Sequence, residues 1–132
     1  MTHIHPLRVY YEDTDMAGIV YYANYLRYIE RGRSELVEDL GLSQRQMRDE
    51  DGIVFAVTRV EADYLGSARL DDRLTVVTNH RAEGPVRWRF EQEVRRGDDV
   101  LFRAVVWVAC MSTAGRPVRL PKALRERLAA GA

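Results

Sequence analysis

Asp15, three residues ahead of Gly18 and followed by Tyr21, Tyr22 and Tyr25, forms the grouping in this chain whose residue types and spacing best suit nucleophilic or general-base chemistry. Val9 to Tyr11 has the β-branched and aromatic composition of a short strand. The next residues, Glu12-Asp13-Thr14-Asp15-Met16-Ala17-Gly18, carry turn-forming side chains and a flexible glycine, so the strand is expected to stop there. Beyond them Leu26, Ile29, Leu36, Val37 and Leu40 recur at three- and four-residue intervals, the spacing of one buried helix face. The first N–H groups of that helix have no partner within it and lie at its positive end, where a carbonyl oxygen gaining negative charge is stabilised. A carboxylate beside such donors suits acyl transfer. The same position also suits a plain helix cap, which stabilises unpaired N–H groups by about 1 kcal/mol, and spacing alone leaves both readings open.

Other constellations are weaker. No Gly-x-Ser-x-Gly elbow occurs, and Ser67 in Gly66-Ser67-Ala68 has only turn character. His3 and His5 stand near a terminus and His80 stands alone on an expected strand, so no metal site is predicted. Cys110 lies in the apolar run Val105 to Met111; as the single cysteine it makes no intrachain disulfide and reads as a small buried residue. Arg87 and Arg89 flank Trp88 but fall on the opposite strand face, which argues against an arginine-aromatic nucleic-acid platform.

These residues need a scaffold. The helix should open near Tyr22 or Ala23, present Arg27, Glu30, Arg31, Ser34, Glu35, Glu38 and Asp39 to solvent and stop at Gly41. Gly32 inside it costs about 1 kcal/mol relative to Ala, which makes sense where the helix packs closely on other backbone. A short helix capped by Ser43 is expected within Leu42 to Asp49, then a turn at Glu50-Asp51-Gly52. Thr58 to Tyr64 alternates, with mostly apolar even positions on a face expected to be buried. Strands follow at Arg73 to about Arg81 and Val86 to Arg95, separated by Glu83-Gly84-Pro85 and closed by a hairpin at Arg96-Gly97-Asp98-Asp99. Val100 to Met111 is apolar at both parities and is predicted to be central and covered on both faces. Pro121 begins a terminal helix in which Leu124 and Leu128 share a face. The sum is an α+β layer arrangement.

The 132 residues, 46 % hydrophobic and 30 % charged, fit one globular domain spanning 1–132. No apolar run approaches the roughly 20 residues of a membrane span, so no membrane insertion is expected. Twenty basic and twenty acidic side chains balance, and nothing in the overall charge points to nucleic acid. Met1 to Val9 lacks a signal-peptide core, and a cytoplasmic protein is the simplest reading.

Arg8-Val9, Thr14-Asp15, Gly18-Ile19-Val20, Tyr21-Tyr22 and Tyr25 resemble the signature of the 4-hydroxybenzoyl-CoA thioesterase family. Glu12 to Asp15 and Glu30 to Glu35 look most like its Tol-Pal-associated, YbgC-like branch of acyl-CoA thioesterases, and Val60 to Asp72 and Gly115 to Pro121 extend the likeness over nearly the whole chain. The resemblance implies a hot-dog fold, a curved antiparallel sheet wrapped around one long helix. It implies hydrolysis of an acyl-CoA, or alternatively an acyl-carrier-protein, thioester without a cofactor. Asp15 matches the family's catalytic carboxylate, acting as nucleophile or general base. The backbone N–H of Tyr22 matches the donor to the thioester oxygen, and Gly18 gives the thioester room. Tyr21 and Tyr25 become candidate substrate contacts, and Arg59, Arg69, Arg87 and Arg89 candidate contacts to coenzyme A phosphates. A histidine often stands in the YbgC-like branch where this chain has Tyr22, whereas the 4-hydroxybenzoyl-type relatives carry Tyr. The family's assembly implies a homodimer or homotetramer with the site between subunits. The rival readings are a non-catalytic acyl-thioester binding module and a hot-dog enoyl-thioester hydratase.

Overall fold

The computed structural model describes residues 2–131. Five strands form one antiparallel sheet: β1 (His3–Arg8), β2 (Ile53–Tyr64), β3 (Arg73–Glu83), β4 (Arg87–Arg96) and β5 (Asp99–Ser112), in the order β1-β3-β4-β5-β2. The three helices are α1 (Asn24–Asp39), α2 (Gln44–Gln46), which runs into a π turn at Met47–Asp51, and α3 (Lys122–Ala129). β3, β4 and β5 make the expected meander. The first strand differs from expectation: it is His3–Arg8, and the Val9 to Tyr11 stretch instead leads into a 3-10 turn at Tyr11–Asp13. Pro6 lies within β1, and an edge strand is where a missing N–H is tolerated.

α1 lies across one face of the sheet, burying Tyr25, Tyr28, Ile29, Leu36 and Val37 against Val76, Phe90, Val94, Phe102, Ala104 and Val106. Gly32 is the point of closest approach. A Cβ there would stand 2.6 Å from Cγ1 of Val76 and 3.4 Å from Nε2 of Gln92, so the close neighbours are sheet side chains and not the backbone expected. Gln92, itself buried, donates to the Ile29 carbonyl (2.9 Å) and to Thr78 Oγ1 (3.0 Å) and accepts from Arg33 (2.9 Å). The sheet thereby hydrogen-bonds the helix in the middle of the apolar layer, satisfying a polar group that would otherwise be costly to bury. α3 covers the far end of β3 with Leu124 buried and Leu128 partly so. Together these elements are the α+β hot-dog arrangement.

Two expectations fail at the faces. Val60, Ala62 and Tyr64 of β2, predicted to be buried, are exposed, because β2 is an edge strand at the margin of the layer that α1 covers, although the Tyr64 ring lies 5.8 Å from that of Tyr25 on α1; Leu26 on α1 is exposed as well. β5 is internal, yet burial is confined to Leu101, Phe102, Ala104, Val106, Val108 and Cys110, while Val105, Trp107 and Ala109 face outward and are half-buried. Among the described residues no second layer covers that outer face. Arg59 from β2 and Arg89 from β4 lie over the Trp107 ring, 5.0 and 5.6 Å from its centroid, so arginine stems and cation-π contacts do the covering. No helix among the described residues is long and apolar enough to cross a membrane.

Candidate active site

Asp15 stands at the tip of a small loop. Thr14 and Val20 bridge across its base, the Asp15 N–H donates to the Ile19 carbonyl (2.9 Å), and the Gly18 N–H returns to the Asp15 carbonyl (3.0 Å). Gly18 closes the turn at φ +79°, a conformation that a side chain strains, and a Cβ there would meet nothing within 4 Å. Its role within the chain is conformational, and the space beside it is open. Asp15 is exposed; one carboxylate oxygen accepts the Ala17 N–H (2.9 Å) within the loop. It caps no helix, since Ala23 is the N-cap of α1.

Asp13, which the sequence left among the turn formers, is the buried carboxylate of the bend, 4 % exposed. One oxygen accepts the Tyr10 N–H and the other the Asn24 side-chain amide, both at 2.8 Å. The Asp13 carbonyl takes the Tyr21 N–H (2.9 Å), and the Tyr21 carbonyl takes the Asn24 N–H (2.8 Å). The N–H groups of Tyr22 and Ala23 are left without an acceptor among the described residues. They open the helix as unpaired donors beside the Asp15 loop.

The tyrosines divide. Tyr21 and Tyr22 are exposed, their rings 4.9 Å apart, and the Tyr22 carbonyl accepts the Tyr64 hydroxyl (3.0 Å). Tyr25 is in the core, stacked on Phe102 with centroids 5.2 Å apart, and its hydroxyl accepts the Ala68 N–H (3.0 Å). Burial raises its pKa. Burial first, and then the Asp13 charge, raise that of Tyr28, whose hydroxyl ends in the same region without a well-formed hydrogen bond.

Of the four arginines, only Arg69 adjoins the loop, through the bridge between its backbone and Ile19. Its N–H and the Arg96 guanidinium bind Asp72 and hold that carboxyl below the usual range. Arg59 and Arg89 are brought together over Trp107 on the outer face, paired with Glu61 and Glu91, and Arg87 is exposed at the start of β4. His80 accepts the Trp88 indole N–H (3.0 Å), and burial pushes its pKa down to about 4. Cys110 is fully buried, which raises its thiol pKa. Two turns along α1, Glu30, Arg33, Phe55, Trp88, Phe90 and Val108 line a cleft of about 140 Å³ between helix and sheet. Neither it nor the Asp13–Asn24 pair was singled out from the sequence. The acidic run Glu12 to Asp15 carries no period that marks which member turns inward.

Residues 9–128 match the model of the Thioesterase-like superfamily. The chain is 39 % identical over 121 residues to the acyl-CoA thioesterase YbgC of Haemophilus influenzae, covering 91 % of this chain and 89 % of that one. It is 35 % identical to the acyl-CoA thioester hydrolase YbgC of Escherichia coli O6:H1, with 90 % of each covered. Among solved structures, a probable thioesterase from Bartonella henselae superposes with a TM-score of 0.88 at 35 % identity, over 92 % of this chain and all (100 %) of that one. A 1,4-dihydroxy-2-naphthoyl-CoA thioesterase from Synechocystis shares the fold at a TM-score of 0.91 and 20 % identity, over 98 % and 96 % of the two chains. A helix laid on a five-stranded antiparallel sheet, a glycine-closed acidic loop before that helix and a family match over residues 9–128 agree, and the chain belongs to the Thioesterase-like superfamily.

Proposed function

We propose that the protein is an acyl-CoA thioesterase, hydrolysing an acyl-CoA to the free acid and coenzyme A. The observation that carries this is the exposed Asp15 carboxylate on the loop that leads into the unpaired Tyr22 and Ala23 N–H donors, in a chain whose relatives with 35–39 % identity bear that activity in their names. In one route an Asp15 oxygen attacks the thioester carbon, the C–S bond breaks to release the coenzyme A thiolate, and water hydrolyses the mixed anhydride. In the other, Asp15 takes a proton from a water whose oxygen attacks the same carbon, the C–S bond breaks, and the proton passes from Asp15 to the departing coenzyme A thiolate. In both, the carbonyl oxygen gains negative charge, and the Tyr22 N–H stabilises it without reorganising. Arg69, exposed beside the loop, is the arginine best placed for a coenzyme A phosphate. The reading places the enzyme in the cytoplasm.

The working unit is a homodimer joined through β2. Val57, Val60 and Tyr64 are 41–50 % exposed on an unpaired edge strand, beside Leu26 at 40 %, and a second copy covers them by isologous pairing. Antiparallel pairing of β2 with itself sets the Tyr64 end of one strand toward the Ile53 end of the other. The Tyr22 region of one chain then faces the Phe55 end of its partner's cleft, where an acyl group would lodge.

Thiol release from a panel of acyl-CoAs and an acyl-carrier-protein thioester, run beside Asp15→Asn, tests the reading. Release by the unaltered protein that Asp15→Asn cuts by 10²-fold or more supports it. Release at full rate in Asp15→Asn removes Asp15 from the mechanism, and binding without release from any donor marks a binding module.

A further inference from the structure

We propose that Asp13 and Asn24 form a clip that positions the Tyr22 N–H toward the thioester oxygen, an inference that rests on the thioesterase reading. A carboxylate 4 % exposed, with no cation paired to it among the described residues, is costly unless its oxygens are hydrogen-bonded. Both are. One holds the Tyr10 N–H and the other the Asn24 amide, eleven positions away, so the pair closes the base of the loop that carries Asp15, Gly18, Tyr21 and Tyr22.

The bonds around this pair fix one peptide group from several sides. The Tyr21 N–H is taken by the Asp13 carbonyl (2.9 Å) and the Asn24 N–H by the Tyr21 carbonyl (2.8 Å), so the residues flanking Tyr22 and Ala23 are pinned. The Tyr22 carbonyl is held by the Tyr64 hydroxyl at 3.0 Å. Among the described residues the Tyr22 and Ala23 N–H groups remain free, and that of Tyr22 belongs to the peptide whose carbonyl the Asn24 N–H holds, so its orientation is set. Such preorganised donors stabilise developing charge because nothing has to turn toward it during the reaction. Asp13 is a positioning residue, since both its oxygens are occupied and it is buried away from the open side of the loop. The pair is also directional: an acceptor at 13 meets a donor at 24, with the Asn24 oxygen turned to Arg27 at 3.5 Å.

That direction supplies the test. Asn24→Asp sets two carboxylates against each other, and the exchanged pair Asp13→Asn with Asn24→Asp restores one donor and one acceptor while leaving the position 13 oxygen for the Tyr10 N–H. Asn24→Asp is expected to lower kcat for acyl-CoA ten- to a hundredfold with KM within threefold, and the exchanged pair to recover kcat to within threefold. Asn24→Ala, which adds no charge, takes the place of Asn24→Asp if the latter does not fold. A second readout is the ¹⁵N–¹H resonance of Tyr22 on titration with a ketone analogue of acyl-CoA in which CH₂ replaces sulfur. Its amide proton is expected to move downfield in the unaltered protein and the exchanged pair, and not in the single variant. A single variant that melts lower but keeps kcat and the Tyr22 shift overturns the proposal, as does a folded exchanged pair that recovers neither. No Tyr22 shift in the unaltered protein overturns it too. If the unaltered protein binds the analogue but releases no thiol, the thioesterase reading falls while the Tyr22 shifts still decide the clip.

Discussion

Replacing Gly32 by alanine places two opposed effects at one point of the fold. Alanine is preferred to glycine inside a helix by about 1 kcal/mol. Against this, the new methyl would stand 2.6 Å from Val76 Cγ1 and 3.2 Å from its Cβ, whereas carbon atoms rest at about 3.5–4.0 Å. Relief requires a shift of about 1 Å. Val76 is fully buried on β3 between edge strand β1 and β4, and α1 is tied to the sheet by Gln92 beside it, so neither side yields freely. Overpacking of this kind costs about 1–3 kcal/mol. The clash wins, and Gly32→Ala is expected to be net destabilising by about 1 kcal/mol. Val76→Ala removes the clashing methyl, so the double variant should be more stable than the sum of the two single changes predicts, with a coupling of about 1–2 kcal/mol. Urea unfolding at a fixed protein concentration measures all four corners of the cycle. Gly32→Ala at or above the stability of the unaltered protein, or additivity within about 0.5 kcal/mol, would refute the close approach of α1 and β3.

Val60→Lys, on the face of β2 turned toward α1, should give a monomer by sedimentation equilibrium and abolish thiol release; a dimer with full activity would remove the β2 interface. Tyr25→Phe leaves the Ala68 N–H without its acceptor and should cost about 1–3 kcal/mol in urea while kcat stays within threefold, since the hydroxyl is directed into the core. For His80 the folded pKa, about 4, lies below the ordinary 6.5. The unfolded state therefore binds the extra proton between these values, and the stability held by neutral His80 is full above about pH 6.5 and lost as the pH falls toward 4. The loss is at most about 3 kcal/mol, less for the part of the ring that solvent reaches. His80→Gln, whose amide oxygen still accepts from Trp88, should flatten that portion of the stability-pH curve measured by urea midpoints.

Elements with an unbroken period were legible. Ile29, Leu36 and Val37 mark the buried side of α1, and the alternation at Trp88, Phe90 and Val94 survives unchanged in β4. Ser43 caps α2 as its type suggests, accepting the Gln46 N–H at 3.2 Å. β1 was missed because His3-Ile4-His5-Pro6 has little strand character of its own and is held by pairing with β3, from His3 opposite Thr78 to Arg8 opposite Arg73. The alternation in β2 was read correctly as a pattern and wrongly as burial, because period reports which residues share a face and not what covers it. At the site, motif resemblance marked Asp15, Gly18 and Tyr22. It did not mark Asp13, whose burial comes from a partner eleven residues away across a folded loop.

The outer face of the sheet has a consequence for how other molecules meet it. Along that face Arg59 pairs with Glu61, Arg89 with Glu91, and Glu93 with both Arg95 and Arg103, on a chain whose formal charge sums to zero. Opposite charges so interleaved cancel within about 8–10 Å, the reach of a charge at physiological salt. The four arginines and three glutamates of these pairs leave a single positive charge, so seen from farther away this side of the protein carries only a weak field. A polyanion such as coenzyme A is drawn toward it only slightly, and encounters there are governed mainly by diffusion and shape, with rates that salt changes little.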